Sequence, residues 1–228
     1  VANSASRILI SGFEPFGSDL INPSQWLMNA LENRENDVLP VSLRAGHRVR
    51  TIVLPVVYEK SFLKLKSEIE IFKPHVVLCF GQAAGRASIE FERFALNIID
   101  SDQSDNDGVR IRDKEISAHG ATAYQTNLPI EDLVRAVGSV GVPAKISNSA
   151  GTYVCNELFY RLQEFQEVIE LSENESLQSR EPVFRSGFIH LPYVTEQVAT
   201  RPGLAALDFK QMKSALNAIL NYFTLEKK

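Results

Sequence analysis

His75-Val76-Val77-Leu78-Cys79-Phe80, followed by Gly81-Gln82-Ala83-Ala84-Gly85-Arg86, is the stretch that decides the fold. The first six residues read as a short buried strand, and the glycine-bearing run is the turn at its carboxyl end. Just upstream, Phe62, Leu65, Ile69 and Phe72 form one stripe of a helix over Tyr58 to Phe72, closed by Pro74. Before that, the β-rich run T-I-V-L-P-V-V within Arg48 to Val57 predicts a strand that ends at Pro55.

The same alternation continues in both directions. Arg7 to Gly12 predicts a buried strand, and Asn22-Pro23 a helix start, with Asn as N-cap, Pro at the first helical position and Trp26, Leu27, Ala30 and Leu31 inward. Ile89 to Asp100 reads as extended, Ser101 to Gly108 as an acidic turn, and Val109 to Thr126 has no strong period. Pro129 to Val140 reads as a helix and Lys145 to Asn148 as a strand. Leu158, Leu162, Phe165 and Ile169 share one face of a helix that starts near Cys155. Phe188 to Leu191 is a strand stopped by Pro192, and Asp208 with Gln211 caps a last helix bearing Met212, Leu216, Ile219 and Phe223. Short apolar strands alternating with amphipathic helices predict an α/β fold with a mostly parallel sheet covered on both faces. In such sheets ligands bind outside the carboxyl ends of the strands. The Phe13–Phe16 loop, the Gly81–Arg86 turn, the Cys155 turn and the end of the His190 strand are therefore expected to meet on one edge.

A chain of 228 residues is most simply one domain over 1–228, with 1–6 flexible and 166–186 a polar, solvent-exposed insertion containing S-E-N-E-S-L-Q-S-R-E. A net charge of −4 argues against nucleic acid or a membrane surface as partner, and no apolar run has the length of a membrane span. Val1 to Ser6 lacks the charged n-region and apolar core of a signal peptide. Two cysteines, Cys79 and Cys155, cannot build a disulfide framework or a multi-cysteine zinc site. Unpaired thiols suit a reducing compartment, so the expected location is cytoplasmic.

Thr152-Tyr153-Val154-Cys155-Asn156 carries the chemistry. A thiol at a helix N-terminus sits at the positive end of the backbone dipole, which favours the nucleophilic thiolate. A base and a group to orient it are then required. Of the four histidines, His190 sits near the carboxyl end of a strand, whereas His75 begins one and His47 and His119 lie in poorly patterned stretches. Glu92, between Phe91 and Arg93, can accept an imidazole N–H. Each residue alone has a plainer reading: a core thiol, a hydrogen-bonded core histidine, and an ion pair with Arg93.

Taken together, the surrounding words resemble a known family. Gly12-Phe13-Glu14-Pro15-Phe16-Gly17 with Asn22-Pro23, Gly81 to Arg86, and Glu92-Arg93 with Ala95 and Asn97 are similar to successive signatures of the pyroglutamyl peptidase I (pyrrolidone-carboxylate peptidase) family of cysteine peptidases. Ser149 to Asn156, then Gly187 to Tyr193 with Glu196-Gln197, complete the set in order. The resemblance implies a three-layer α/β/α sandwich, removal of N-terminal pyroglutamate from peptides, no metal or organic cofactor, and homo-oligomers (dimer or tetramer). It also implies Glu92, Cys155 and His190 as the catalytic set. Phe13 and Phe16 are expected as walls for the flat lactam, the Gln82 turn as a source of backbone hydrogen bonds, and Asn22 as helix cap and loop support.

Two departures stand out. The family's A-R-I-P-D-N is here Ser101-Asp102-Gln103-Ser104-Asp105-Asn106, so Asp102 stands where an arginine is expected, with Arg110 or Arg112 as candidate substitutes. Ala84 replaces a glycine. An inward Asp102 would oppose oxyanion development, and Ala84 would limit how closely backbone approaches substrate; together they motivate an alternative: a silenced homologue that binds blocked N-termini without turnover.

Overall fold

The computed structural model describes residues 6–33, 47–173 and 183–224. In chain order the elements are β1 (Arg7–Phe13), α1 (Pro23–Glu32), β2 (Arg48–Leu54), α2 (Lys60–Phe72), β3 (Val76–Gln82), β4 (Ile89–Glu92), β5 (Phe94–Leu96) and β6 (Ala123–Gln125). Then come α3 (Ile130–Ser139), β7 (Ala144–Ser147), α4 (Val154–Glu173), β8 (Arg185–Leu191), β9 (Tyr193–Val194), α5 (Thr195–Val198), β10 (Ala206–Leu207) and α6 (Phe209–Thr224).

Six strands form one sheet in the order β2-β1-β3-β8-β4-β7. β2, β1, β3 and β8 run parallel; β4 pairs antiparallel with β8 and parallel with β7, so the last two strands run the other way. Strand side chains alternate between faces, and the core divides accordingly. Ile8, Ile10, Leu78, Phe80, Phe91 and Ile189 pack with Leu27 and Met28 of α1, Leu133 of α3 and Met212 and Leu216 of α6. Leu9, Val77, Cys79 and Phe188 pack with Leu65 and Ile69 of α2 and Leu158, Phe159 and Leu162 of α4. The result is a three-layer α/β/α sandwich, and every residue of β3 is buried because it is covered from both sides.

The helix ends form where the sequence signals them. Asn22 Oδ1 accepts from Ser24 N at 3.0 Å. Lys73 takes the left-handed conformation that ends α2 before Pro74. Asp208 Oδ1 accepts from Lys210 N at 2.6 Å while Gln211 Oε1 accepts from Asp208 N at 3.1 Å, a reciprocal cap. Such a cap stabilises by about 1 kcal/mol.

Two expectations change. β3 runs on to Gln82, beyond Phe80, because Gly81 and Gln82 pair with His190 and Leu191. The described part of 166–186 is regular structure: residues 166–173 are the last turns of α4, and Arg185 opens β8. Its polarity is partly internal. Ser186 Oγ accepts from Gln163 Nε2 at 2.8 Å and donates to Gln166 Oε1 at 2.7 Å, all three residues being buried. Residues 174–182, with most of the S-E-N-E-S-L-Q-S-R-E run, and residues 1–5 lie outside the described residues.

Candidate active site

Strand register brings the chemistry together. Gly81 is level with His190 on the parallel neighbour, and Glu90 is level with His190 on the antiparallel one. Level residues share a face, as do residues two apart. Cys79, Gly81, Phe188, His190, Glu90 and Glu92 therefore all project toward the α4 layer. α4 begins at Val154, so Cys155 lies in its first turn. A Cβ on Gly81 would stand 3.0 Å from Cys155 Sγ and 2.8 Å from the Phe188 ring, so only glycine lets the sulfur sit there. Three residues remote in sequence thus converge beside the end of β3.

The carboxyl-edge expectation needs one correction. β4 and β7 run opposite to β8, so their carboxyl ends face the other way. Glu92 reaches His190 sideways from an antiparallel strand, and the 148–153 loop carries the chain back to Cys155. That loop turns at Gly151 (φ 82°), which favours glycine. Thr152 Oγ1 donates to Asp100 O at 2.6 Å, and Asp100 N donates to Thr152 O at 3.0 Å. The fully buried Asn156 accepts from Leu96 N and donates to Leu96 O and Ile98 O, each at 2.9 Å. These bonds fix the start of α4 against β5.

Glu92 is wholly buried, and its Oε1 lies 2.7 Å from His190 Nδ1 and 2.6 Å from Arg86 Nη1. With a carboxylate as acceptor, Nδ1 carries the ring proton and Nε2 is left as the basic nitrogen. Arg86 also pairs with Glu90, donates to Ser149 O at 3.3 Å, and shares Glu90 with Lys145, whose Nζ is 3.0 Å away. Burial lowers the His190 pKa below its usual 6.5; Glu92 works against this, and Arg86 adds to it. Burial pushes the Cys155 thiol up to about 12, with the Glu92 charge adding and Arg86 opposing. Both shifts favour the neutral thiol and the neutral imidazole. Desolvation and the nearby Glu92 charge thus oppose the thiolate that the helix dipole, worth about 0.3–1 kcal/mol, favours. Among the described residues no hydrogen bond joins the thiol to the ring; such pairs commonly tighten only when substrate binds.

A family model described as pyroglutamyl peptidase matches residues 6–222. The pyrrolidone-carboxylate peptidase of Brevibacillus brevis is 41% identical over 192 residues, which cover 84% of this chain and 80% of that one. That of Streptococcus pneumoniae is 37% identical over 220 residues, covering 95% and 94%. The crystal structure of pyroglutamyl peptidase I from Bacillus amyloliquefaciens matches with a TM-score of 0.82 at 32% identity, covering 97% of this chain and 96% of that one. The chain belongs to the pyroglutamyl peptidase family.

The other expected site residues of this pyroglutamyl peptidase relative divide into two groups. Phe13 and Phe16 lie on the sulfur side. Phe13 is buried against Phe188 (centroids 6.3 Å), and Phe188 meets His190 at 4.8 Å. Phe16 is more exposed and meets Tyr153 at 6.1 Å. Asn22 and Gln82 are committed elsewhere. Asn22 is wholly buried; besides the cap, its Nδ2 donates to Glu14 O at 3.1 Å, which holds the Phe13–Gly17 loop. Gln82 alternates to the face opposite Gly81; its amide donates to Asp19 at 2.8 Å and accepts from Gln197 at 2.7 Å. Neither side chain is brought to the sulfur.

Asp102 turns outward. Its side chain is 86% exposed and pairs with Arg112, whose Nε also binds Asp100 at 2.5 Å. Arg112 is thereby held at the surface, Arg110 is exposed, and Ala84 is exposed in its turn. The loop is instead anchored by Asp105, which accepts from Tyr58 N at 3.1 Å, Asp107 N at 3.0 Å and Val109 N at 2.8 Å. Among the other histidines, His75 and His47 accept from backbone N–H groups of Arg7 and Ser6, and His119 is exposed. Among the described residues no group of three or more His, Cys, Asp or Glu could hold a metal ion. Both cysteines are free, and no described helix is long and apolar enough to cross a membrane.

Sequence reasoning missed Arg86 as a site residue. The available signal was a cation six residues before the buried glutamate, at the mouth of the same turn.

Proposed function

We infer that this chain is a cysteine peptidase that removes N-terminal pyroglutamate from peptides through an acyl-enzyme on Cys155. One observation carries the reading: the Glu92–His190 pair stands beside a sulfur seated over Gly81 at a helix start. His190 Nε2 takes the thiol proton as Sγ attacks the carbonyl that joins pyroglutamate to the next residue. The C–S bond forms and the carbonyl electrons move to oxygen, where N–H groups of the first turn of α4 serve as donors. Collapse breaks the C–N bond, and the imidazolium gives its proton to the leaving amine. Water, deprotonated by the same nitrogen, then breaks the thioester, and the thiol regains its proton. Glu92 holds the ring tautomer and offsets the imidazolium charge.

The lactam has no free amine to pair, so apolar walls such as Phe13 and Phe16 suit it. The silenced-homologue alternative rested on Asp102 and Ala84; Asp102 is exposed and paired to Arg112, and Ala84 is exposed in its turn. The natural partners are peptides with a pyroglutamyl N-terminus. We place the protein in the cytoplasm, where its free thiols stay reduced, and we read a dimer or tetramer from the family resemblance.

Release of the fluorophore from a pyroglutamyl amide, with an unblocked glutamyl amide as control, tests the activity. The expected result is release from the lactam substrate only; equal release from both, or none, overturns it. In the same assay kcat/KM is expected to fall at acid pH as His190 gains its proton. Since burial lowers that pKa, the midpoint is expected below 6.5, and a midpoint above 6.5 contradicts a buried, neutral base.

A further inference from the structure

The mechanism above does not use Tyr58, which stands between β2 and α2. Its ring is buried and meets Tyr153 edge-on, with centroids 5.7 Å apart and an interplanar angle of 83°. Tyr153 lies two residues before Cys155 and also packs on Phe16, so the three rings form one wall beside the sulfur. The hydroxyl of Tyr153 donates to Ser104 O at 2.9 Å, whereas Tyr58 Oη is buried without a hydrogen-bond partner. Ser101 stands beside the phenol but outside hydrogen-bonding geometry, and its Oγ accepts from Gln103 N at 3.1 Å.

A buried hydroxyl without a partner costs about 1–3 kcal/mol, and phenylalanine would fill the same space without that cost. The carboxylates near the phenol are occupied. Asp105 accepts three backbone N–H groups, and Glu157 pairs with Arg161 and accepts from Glu59 N at 3.3 Å. Burial, with the charges of Asp105 and Glu157 adding to it, keeps the phenol protonated and therefore a donor.

We propose that Tyr58 Oη donates a hydrogen bond to the lactam carbonyl of the bound pyroglutamyl group, making Tyr58 a specificity-determining residue. The proposal rests on the pyroglutamyl site argued above. The lactam carbonyl does not react, so the bond contributes to binding before it contributes to chemistry. Its loss is expected in KM rather than kcat.

Tyr58→Phe removes one oxygen and keeps the ring. On a pyroglutamyl amide it is expected to lower kcat/KM about tenfold, the effect of one lost hydrogen bond, mainly by raising KM and with Tm equal or higher. Calorimetry with pyroglutamyl amide on Cys155→Ala, with and without Tyr58→Phe, reads the same contact without turnover. The expected loss of affinity is again about tenfold. If wild type cleaves the amide through Cys155 and Tyr58→Phe stays within twofold of it, this inference alone fails. It fails also if the loss is confined to kcat or if the two Cys155→Ala proteins bind equally. No cleavage by wild type and no binding to either protein overturn both readings.

Discussion

Cys155→Ala is expected to lower kcat for a pyroglutamyl amide by a factor on the order of 10⁴–10⁶, the range for removing a nucleophile that works as a unit with its base. The fold is expected to survive. Cys155 is partly exposed in the first turn of α4, and that turn is held by Asn156 and Thr152 rather than by the sulfur. Steady-state kinetics and thermal unfolding of the purified variant read both halves. Activity within tenfold of wild type at unchanged Tm would remove Cys155 from the chemistry.

Glu92→Gln is expected to be the second most damaging change, and for two reasons. The wholly buried Oε1 serves His190 Nδ1 and Arg86 Nη1 at once, so a neutral amide leaves the half-buried Arg86 guanidinium short of a counter-charge. Breaking a buried pair from one side costs about 3–5 kcal/mol, and Glu90, which also pairs with Arg86, is expected to soften that. The amide also has to choose which neighbour faces its NH₂ group, and facing Nδ1 it favours the wrong tautomer. The expected loss in kcat is on the order of 10³–10⁴, with a lower denaturation midpoint. Retention of kcat within tenfold would mean that His190 is oriented by something other than Glu92.

Much of this was legible along the chain. Local signals sufficed where the physics is local: Asn22 and Asp208 as caps, Pro74 as a stop, β3 as a buried strand. The motif words gathered Glu92, Cys155 and His190. What the chain order hides is register and direction. The antiparallel entry of β4, which puts Glu92 beside His190, depends on a pairing between residues 98 apart in sequence. Gly81 reads as a turn glycine until its level with His190 makes it the seat of the sulfur. Asp102 looks disruptive because sequence carries no information on orientation, and Arg112, ten residues on, holds it outward. The helix dipole that favours a thiolate is visible in sequence, whereas the desolvation that opposes it is a tertiary property.

The central claim is that pyroglutamate is carried on the sulfur of Cys155. An activated pyroglutamyl ester, for which acylation outruns deacylation, allows the intermediate to be quenched in acid during turnover and mapped by peptide mass spectrometry. The account predicts one pyroglutamyl group on the peptide containing Cys155, lost as substrate is exhausted and absent from Cys155→Ala. Turnover of that ester with Cys155 unmodified, or with the acyl group carried by another residue, would contradict it.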